Sequence, residues 1–343
     1  MNGKQLRLSI AIALVSIACS SDRPALSDSG KAKTRAGPAD NDITIALIAK
    51  SSTNPVFLAA RTGAEAAAKE LSVNGLKVSV AWLTPPQEDG QVQAQRIQQA
   101  VNDGADGILI SVSDAGKVTG AINDAVDRGV AVMTFDSDAP QSKRFAYYGV
   151  DDIKTGKAVM AELAIAMKGK GVVAILAGNQ NAPNLQRRVQ GVRDEAARYP
   201  GIRIVNAFNH IETPQDAAAE VIRVNNAYPE VNGWAFIGGW PLFTQTLLTD
   251  IDPARIKVVS VDALPAELVY VEKGVVPVLL AQPVYDWGYV GVKTLVGKIH
   301  FGETVPERIP MELVRVSKDN LGEWAKRLAG WGFTDVPAKY LSK

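Results

Sequence analysis

From residue 43 onward the chain alternates short, continuous apolar runs with longer segments of helical periodicity, and few architectures tolerate that rhythm. The apolar runs of the first series fall at 43–49 (ITIALIA), 77–83, 107–112 and 130–135. Helical patterns at 57–71, 90–102 and 115–128 separate them. A second series opens with a helix over 153–167 and has apolar runs at 172–176, 202–207, 233–237, 257–261 and 278–281. Its helical segments cover 185–199, 214–228, a short stretch after Pro241, 266–273 and a closing helix at 287–299. Continuous apolar runs suit parallel strands covered on both faces. Strands alternating with helices imply right-handed crossovers and a doubly wound sheet. Two consecutive series therefore predict an α/β protein of two doubly wound parallel-sheet lobes. With 343 residues, 47% of them hydrophobic, the chain is long enough for two cores.

Ligands of such sheets sit beyond the carboxyl ends of the strands, so the residues after each run are the informative ones. The first run leads into Lys50-Ser51-Ser52-Thr53-Asn54-Pro55-Val56-Phe57, the fourth into Asp136-Ser137-Asp138, and the run at 257–261 into Asp262. Asn54 before Pro55 also reads as an ordinary helix cap, and each acid as a cap or turn residue. Several polar strand ends facing one crevice suggest a polar ligand, since carboxylates and amides bind adjacent hydroxyls in pairs. Phe57 and Trp240 suit the apolar face of a sugar ring, and equally a core or rim position.

The formal net charge of +1 gives no concentrated basic face, so nucleic acid is not an expected partner. One cysteine permits neither an internal disulfide nor a cysteine-based metal site. His210 and His300 lie far apart without ligand spacing, which leaves only carboxylates as a means of holding calcium. No Gly-x-Gly-x-x-Gly follows the first strand and no Gly-x-Ser-x-Gly is present, so catalysis and a bound cofactor are not expected.

The N-terminus carries Lys4 and Arg7, an apolar run over 8–18, then the single cysteine, Cys19. This pattern describes an export signal. Ile17-Ala18-Cys19 resembles the lipid-attachment site of bacterial lipoproteins, although Ser16 stands where that motif usually has leucine. The expectation is a signal over 1–19 ending on a lipid-anchored Cys19, with a cleaved secretory signal as the alternative. Residues 20–41 lack apolar periodicity and read as a flexible tether.

Six segments in order carry a further resemblance: Asn54-Pro55-Val56-Phe57, Ala105-Asp106-Gly107-Ile108, Val132-Met133-Thr134-Phe135-Asp136, Arg188-Val189-Gln190-Gly191-Val192, Val258-Val259-Ser260-Val261-Asp262, and Ala281-Gln282-Pro283 leading to Gly288. Over residues 42–316 the chain resembles the periplasmic sugar-binding proteins of ABC importers, of the ribose-binding type. That resemblance implies the type I periplasmic binding protein fold, with a three-crossing hinge near Val150 and Asp151, Gln282 and Pro283, and Glu312 and Leu313. The implied lobes are 42–150 plus 283–312, and 151–282 plus 313–343 with its tail. It also assigns ligand contacts: Asn54 and Phe57 in the first loop, Asp136 at a strand end, Arg188 from the second lobe, Asp262, and Gln282 at a crossing. Asn184 is a further candidate in the second lobe.

Two departures bear on the ligand. Val56 stands where ribose-binding proteins commonly have a second aromatic, and Gly238-Gly239-Trp240 replaces an Asn-Asp pair. Trp240 is the candidate for the missing stacking surface, and ribose itself is placed in doubt. Lys143 and Arg144 read as a solvated face or structural ion pair rather than anion binders. Asp151-Asp152 fits either hinge or ligand contact. The resemblance thus implies a monomer, at the periplasm or outer membrane face, that closes on a small sugar or polyol and delivers it to an ABC permease. A sugar-sensing component for a chemoreceptor or membrane kinase is the alternative. An exported enzyme is a more distant one. In the tail from Asp319, the residues Trp324, Leu328 and Trp331 predict a short amphipathic helix packed on the body.

Overall fold

The structure, a computed structural model, describes residues 41–342. The expected export signal, Cys19 and all but the last residue of the expected tether lie outside the described residues. The first series folds as β1 (Asp42–Ile48), α1 (Pro55–Leu71), β2 (Lys77–Trp82), α2 (Gly90–Asn102), β3 (Gly107–Ile110), α3 (Ala115–Asp127), β4 (Ala131–Phe135) and β5 (Ala146–Gly149). The second comprises α4 (Asp152–Ala166), β6 (Lys170–Gly178), α5 (Pro183–Ala196), β7 (Gly201–Asn209), α6 (Pro214–Ala227), β8 (Gly233–Phe236), α7 (Leu247–Asp250), β9 (Lys257–Val261), α8 (Leu268–Glu272) and β10 (Val278–Ala281). There follow α9 (Val284–His300), β11 (Arg308–Pro310), β12 (Val314–Val316), α10 (Leu321–Gly330) and α11 (Ala338–Leu341).

Two six-stranded sheets result. The first has the order β11-β5-β4-β3-β1-β2 and is parallel throughout. The second, β12-β10-β9-β8-β6-β7, is parallel except for β12, which runs antiparallel to β10 at the edge. The unbroken apolar runs are explained by burial on both faces. In β1, Ile45 and Leu47 join the core beneath α1 and α9, while Ala46 and Ile48 join the core beneath α2 and α3. The chain leaves the first sheet after β5, returns with α9 after β10, and crosses again between β11 and β12.

Three strands lack a counterpart in the sequence pattern. β5 follows β4 without a crossover helix, and β11 (RIP) and β12 (VRV) are too short to show a period. The tail packs as its spacing implies. Trp324 and Leu328 are buried in the second lobe's core, and Trp324 Nε1 donates to the Ala263 carbonyl at 2.7 Å. Trp331 reaches the other lobe, stacking on Tyr285 of α9 with ring centroids 5.8 Å apart.

Candidate sugar-binding cleft

Both sheets turn their carboxyl ends toward one crevice, and all eight residues singled out in the sequence line a single pocket there. From the first lobe come Asn54, Phe57 and Asp136. Asn54 is also the cap of α1, its Oδ1 accepting from Val56 N at 3.2 Å, so the cap reading holds for a residue that lines the pocket as well. Phe57 borders the pocket from a buried aromatic group with Phe135 and Trp287. The second lobe supplies Asn184 and Arg188 from α5, Trp240 from the turn after β8, Asp262 from the end of β9, and Gln282 just beyond β10.

The two strand-end acids share an unusual backbone. Asp136 has φ +56° and Asp262 φ +73°, the left-handed region that aspartate tolerates better than most residues. Such conformations persist where the surroundings over-determine them, as at functional sites. Ladder bonds hold both: Asp136 N donates to Tyr148 O at 3.1 Å and Asp262 N to Leu280 O at 3.0 Å. Arg188 reaches the pocket because α5 lies close against α4. A Cβ on Gly156 would sit 2.0 Å from Arg188 O, and one on Gly191 2.2 Å from Ile153 O. Only glycine permits that approach.

A continuous polar network joins these side chains. Arg188 is 2% exposed and spends its fork on Asp152 Oδ1 (2.9 Å), Ile237 O (3.1 Å) and Gln282 Oε1 (2.9 Å). Its Nη2 also lies 3.8 Å from Asp136 Oδ1. Asp136 accepts from Ser111 Oγ at 2.7 Å and Asn184 Nδ2 at 3.0 Å. Asp262 accepts from Gln282 Nε2 at 2.9 Å and Gly239 N at 3.2 Å. Burial raises the Asp262 carboxyl above its ordinary range, against the pull of Gln282 and Arg188. Asp152, behind Arg188, is pushed up to about 6 by burial despite that guanidinium. Asp152 is therefore the arginine's partner, and Asp151 caps α4 by accepting from Lys154 N. Arg144 pairs bidentately with Asp138, at 2.6 and 2.7 Å, and Lys143 with Asp127, consistent with structural ion pairs.

Trp240 explains the glycines beside it. A Cβ on Gly238 would lie 2.5 Å from the indole Cη2, so a side chain at 238 and this tryptophan exclude each other. The indole also meets the His210 ring edge-on at 5.0 Å.

Sequence reasoning passed over Lys50. Its ammonium, 2% exposed, donates to Asn184 Oδ1 at 3.2 Å across the cleft and lies 3.7 Å from Asp136 Oδ2. Burial works to lower its pKa, but Asp136, Glu212 and Glu88 outweigh this and hold it above the ordinary lysine value. Its position directly after the first apolar run was the available signal. Glu212 also lines the pocket from the loop after β7. With the side chains bonded to one another, the pocket encloses about 20 Å³, room for little more than one water molecule. Outward from it, the cleft widens into a cavity of about 710 Å³ lined by strand-end loops of both lobes.

Two α/β lobes, strand ends facing a shared polar cleft and three chain crossings define the type I periplasmic binding protein fold. The chain belongs to the family described as "Periplasmic binding protein domain", which it matches over residues 45–303. It is 30% identical over 156 residues to the ribose import binding protein of Bacillus subtilis (strain 168), covering 45% of this chain and 49% of that one. The chain spans about half the length of the first curated relatives it matches. Among solved structures, it resembles an ABC transporter solute binding protein from Burkholderia graminis in complex with D-arabinose. The TM-score is 0.77 at 27% identity, with 84% of this chain and 98% of that one covered. It also resembles GanP, a glucose-galactose binding protein from Geobacillus stearothermophilus, with TM-score 0.74, 28% identity, and 82% and 99% coverage.

Proposed function

We propose that this protein is a non-catalytic receptor that captures a small sugar or polyol between its lobes and hands it to an ABC permease outside the cytoplasm. The observation that carries the reading is the convergence of Asp136, Asp262, Arg188, Asn184 and Gln282 on one crevice beside Trp240 and Phe57. Carboxylates and amides match adjacent hydroxyls, an arginine fork adds charge-assisted donors, and the aromatics suit the C–H face of a ring. Family membership and relatives named for ribose import support the same class of ligand. Closure about the crossings would bury the ligand and present a changed outer surface to the permease.

The test is a thermal-shift screen of the purified protein against pentoses, hexoses, deoxy sugars and polyols, followed by calorimetry. At least one compound is expected to raise the melting temperature in a saturable way. A panel without any stabilising compound refutes the reading. An unmodified mature N-terminus other than Cys19, found by mass spectrometry, would refute the lipid anchor while leaving the receptor intact.

A further inference from the structure

Near the mouth of the cleft, the two lobes meet through a pair of carboxyls. Glu88 stands on the loop between β2 and α2 of the first lobe, and Glu212 on the loop after β7 of the second. Asn179, just after β6, holds both: its backbone N–H donates to Glu212 Oε1 at 3.0 Å and its Nδ2 to Glu88 Oε2 at 2.9 Å. The other oxygen of Glu88, Oε1, is shut from solvent, and no donor among the described residues reaches it. The side chain bonded to this carboxyl is that of Glu212. Ionised carboxylates only accept, so a hydrogen bond between two of them requires that one carry a proton. A single proton thus accounts for the bond and for the oxygen that otherwise has no donor.

The charges around the pair do not replace that proton. Lys50, at the end of β1, acts on Glu88 by charge, but its ammonium is bonded to Asn184 and faces Asp136. His210, on the loop of Glu212, has Nδ1 2.7 Å from Ile211 O, and burial lowers its pKa. Asp89 and Asp114 cap α2 and α3, and Lys117 lines the wider cavity with them. Burial first, then the charge of Glu212, pushes Glu88 up to about 8.

Resting on the proposed sugar receptor, we infer that Glu88 and Glu212 share one proton across the lobes, and that sugar capture takes this proton up from solvent. In an open cleft both carboxyls are hydrated and ionised at neutral pH. Closure brings them together, Glu88 gains a proton, and its O–H donates to Glu212 as a latch between the lobes. A carboxyl raised by closure favours the closed form fully below its ordinary value of 4.5 and loses that contribution as pH rises through about 8. Glu88 lies outside the deep pocket, so a sugar at Asp136 and Arg188 leaves the latch in place.

Calorimetry on the purified protein counts the proton. Binding of D-ribose, D-arabinose, D-xylose, D-galactose, D-glucose and xylitol is measured at pH 7.5 in phosphate, HEPES and Tris, whose ionisation enthalpies differ. The dependence of the observed heat on that enthalpy gives the protons taken up. A compound that binds is expected to bring about one proton with it, since Asp152 and His210 both titrate at lower pH. Glu88→Gln offers an amide N–H to Glu212 and an oxygen to Asn179, so it should bind without proton uptake. Glu88→Ala should take up no proton either, but bind about three- to tenfold more weakly than Glu88→Gln, the worth of one hydrogen bond. Binding by the native protein without proton uptake, uptake that persists in both variants, or an alanine variant as tight as the glutamine one would overturn the inference and leave the receptor standing. Absence of binding by every compound overturns both.

Discussion

Replacing Arg188 by methionine isolates the network at the base of the cleft. The substitution keeps a long side chain but removes the fork that serves Asp152, Ile237 O and Gln282, and the charge that faces Asp136. Hydrogen bonds to charged groups contribute about 1.5–3 kcal/mol each, but here they overlap with the ion pair and do not sum. Breaking one side of a buried pair costs about 3–5 kcal/mol, because a carboxylate is left in low dielectric without compensation. Relief of the arginine's own desolvation is already within that figure. At about 2–4 °C per kcal/mol for chains approaching this size, the melting temperature should fall on the order of 10 °C. The loss should depend on pH. Asp152, already at about 6 with the guanidinium present, rises further without it, while the arginine of the parent stays charged throughout. A carboxyl whose folded-state pKa is raised contributes stability fully present below its unfolded value and lost as pH rises through the folded one. The deficit of the variant should therefore be large at pH 8 and smaller at pH 5. Urea unfolding at both values measures it, with Arg188→Lys as a control that keeps the charge and loses the fork. A deficit under about 1 kcal/mol at pH 8, the range of an ordinary exposed ion pair, would refute the reasoning. An equal deficit at both pH values would refute it too.

Asp136→Ala or Asp262→Ala should abolish sugar-induced thermal stabilisation while each apo protein remains folded; unchanged stabilisation in both would remove these acids from the site. Glu88 is pushed up to about 8 by burial and by Glu212, against Lys50 and the bond from Asn179. Closure that buries it takes up a proton, so its favourable contribution is complete below about 4.5 and is lost as pH rises through about 8. Ligand affinity should thus fall between pH 5 and 8, and Glu88→Gln should flatten that slope in a calorimetric series. Gly238→Asn places a side chain where the Trp240 indole lies, so it should cost about 1–3 kcal/mol of stability and weaken sugar binding, both read by thermal shift with and without ligand.

The strands and helices that position the cleft were legible because burial on both faces leaves a plain signature: runs such as GILI and VLLA without a polar residue. β5, β11 and β12 were not: AYYG offers no aliphatic run, RIP and VRV are three residues long, and these last two depend on pairing with strands distant in sequence. The acids at 136 and 262 could be found as strand ends and Trp240 as a candidate aromatic, whereas Arg188, Asn184 and Gln282 needed the resemblance as well. Lys50 was missed because a lysine is exposed by default, and only the meeting of Asn184 and Asp136 around it makes burial tolerable. Glu88 and Glu212 come from loops with no repeating pattern, and their proximity is a property of the closed cleft alone. The exchange of a strand-end polar pair for Gly238-Gly239-Trp240 could be seen as a departure, but its logic is steric and exists only in three dimensions.

The contacts that join the lobes divide by their distance from the crossings. Tyr285 and Asp286 lie just beyond Gln282, and the tail reaches them through the Trp331 stack and Arg327, 3.6 Å from Asp286. In the proposed closure, rotation about the crossings would move these groups little, so the tail would stay bonded to both lobes as the cleft opens. The contact of Asn179 Nδ2 with Glu88 Oε2, at 2.9 Å, lies at the opposite end and must break, as must the bond from Lys50 to Asn184 deeper in the cleft. Opening therefore exposes a carboxyl that returns to its ordinary range and an ammonium that regains water, and both changes offset part of the cost of parting the lobes. Closure without a ligand is held back by the same two desolvations. In the proposed closure, a sugar hydroxyl that accepts from Lys50 would remove part of that penalty, which would tie the free energy of binding to the motion that seals the cleft.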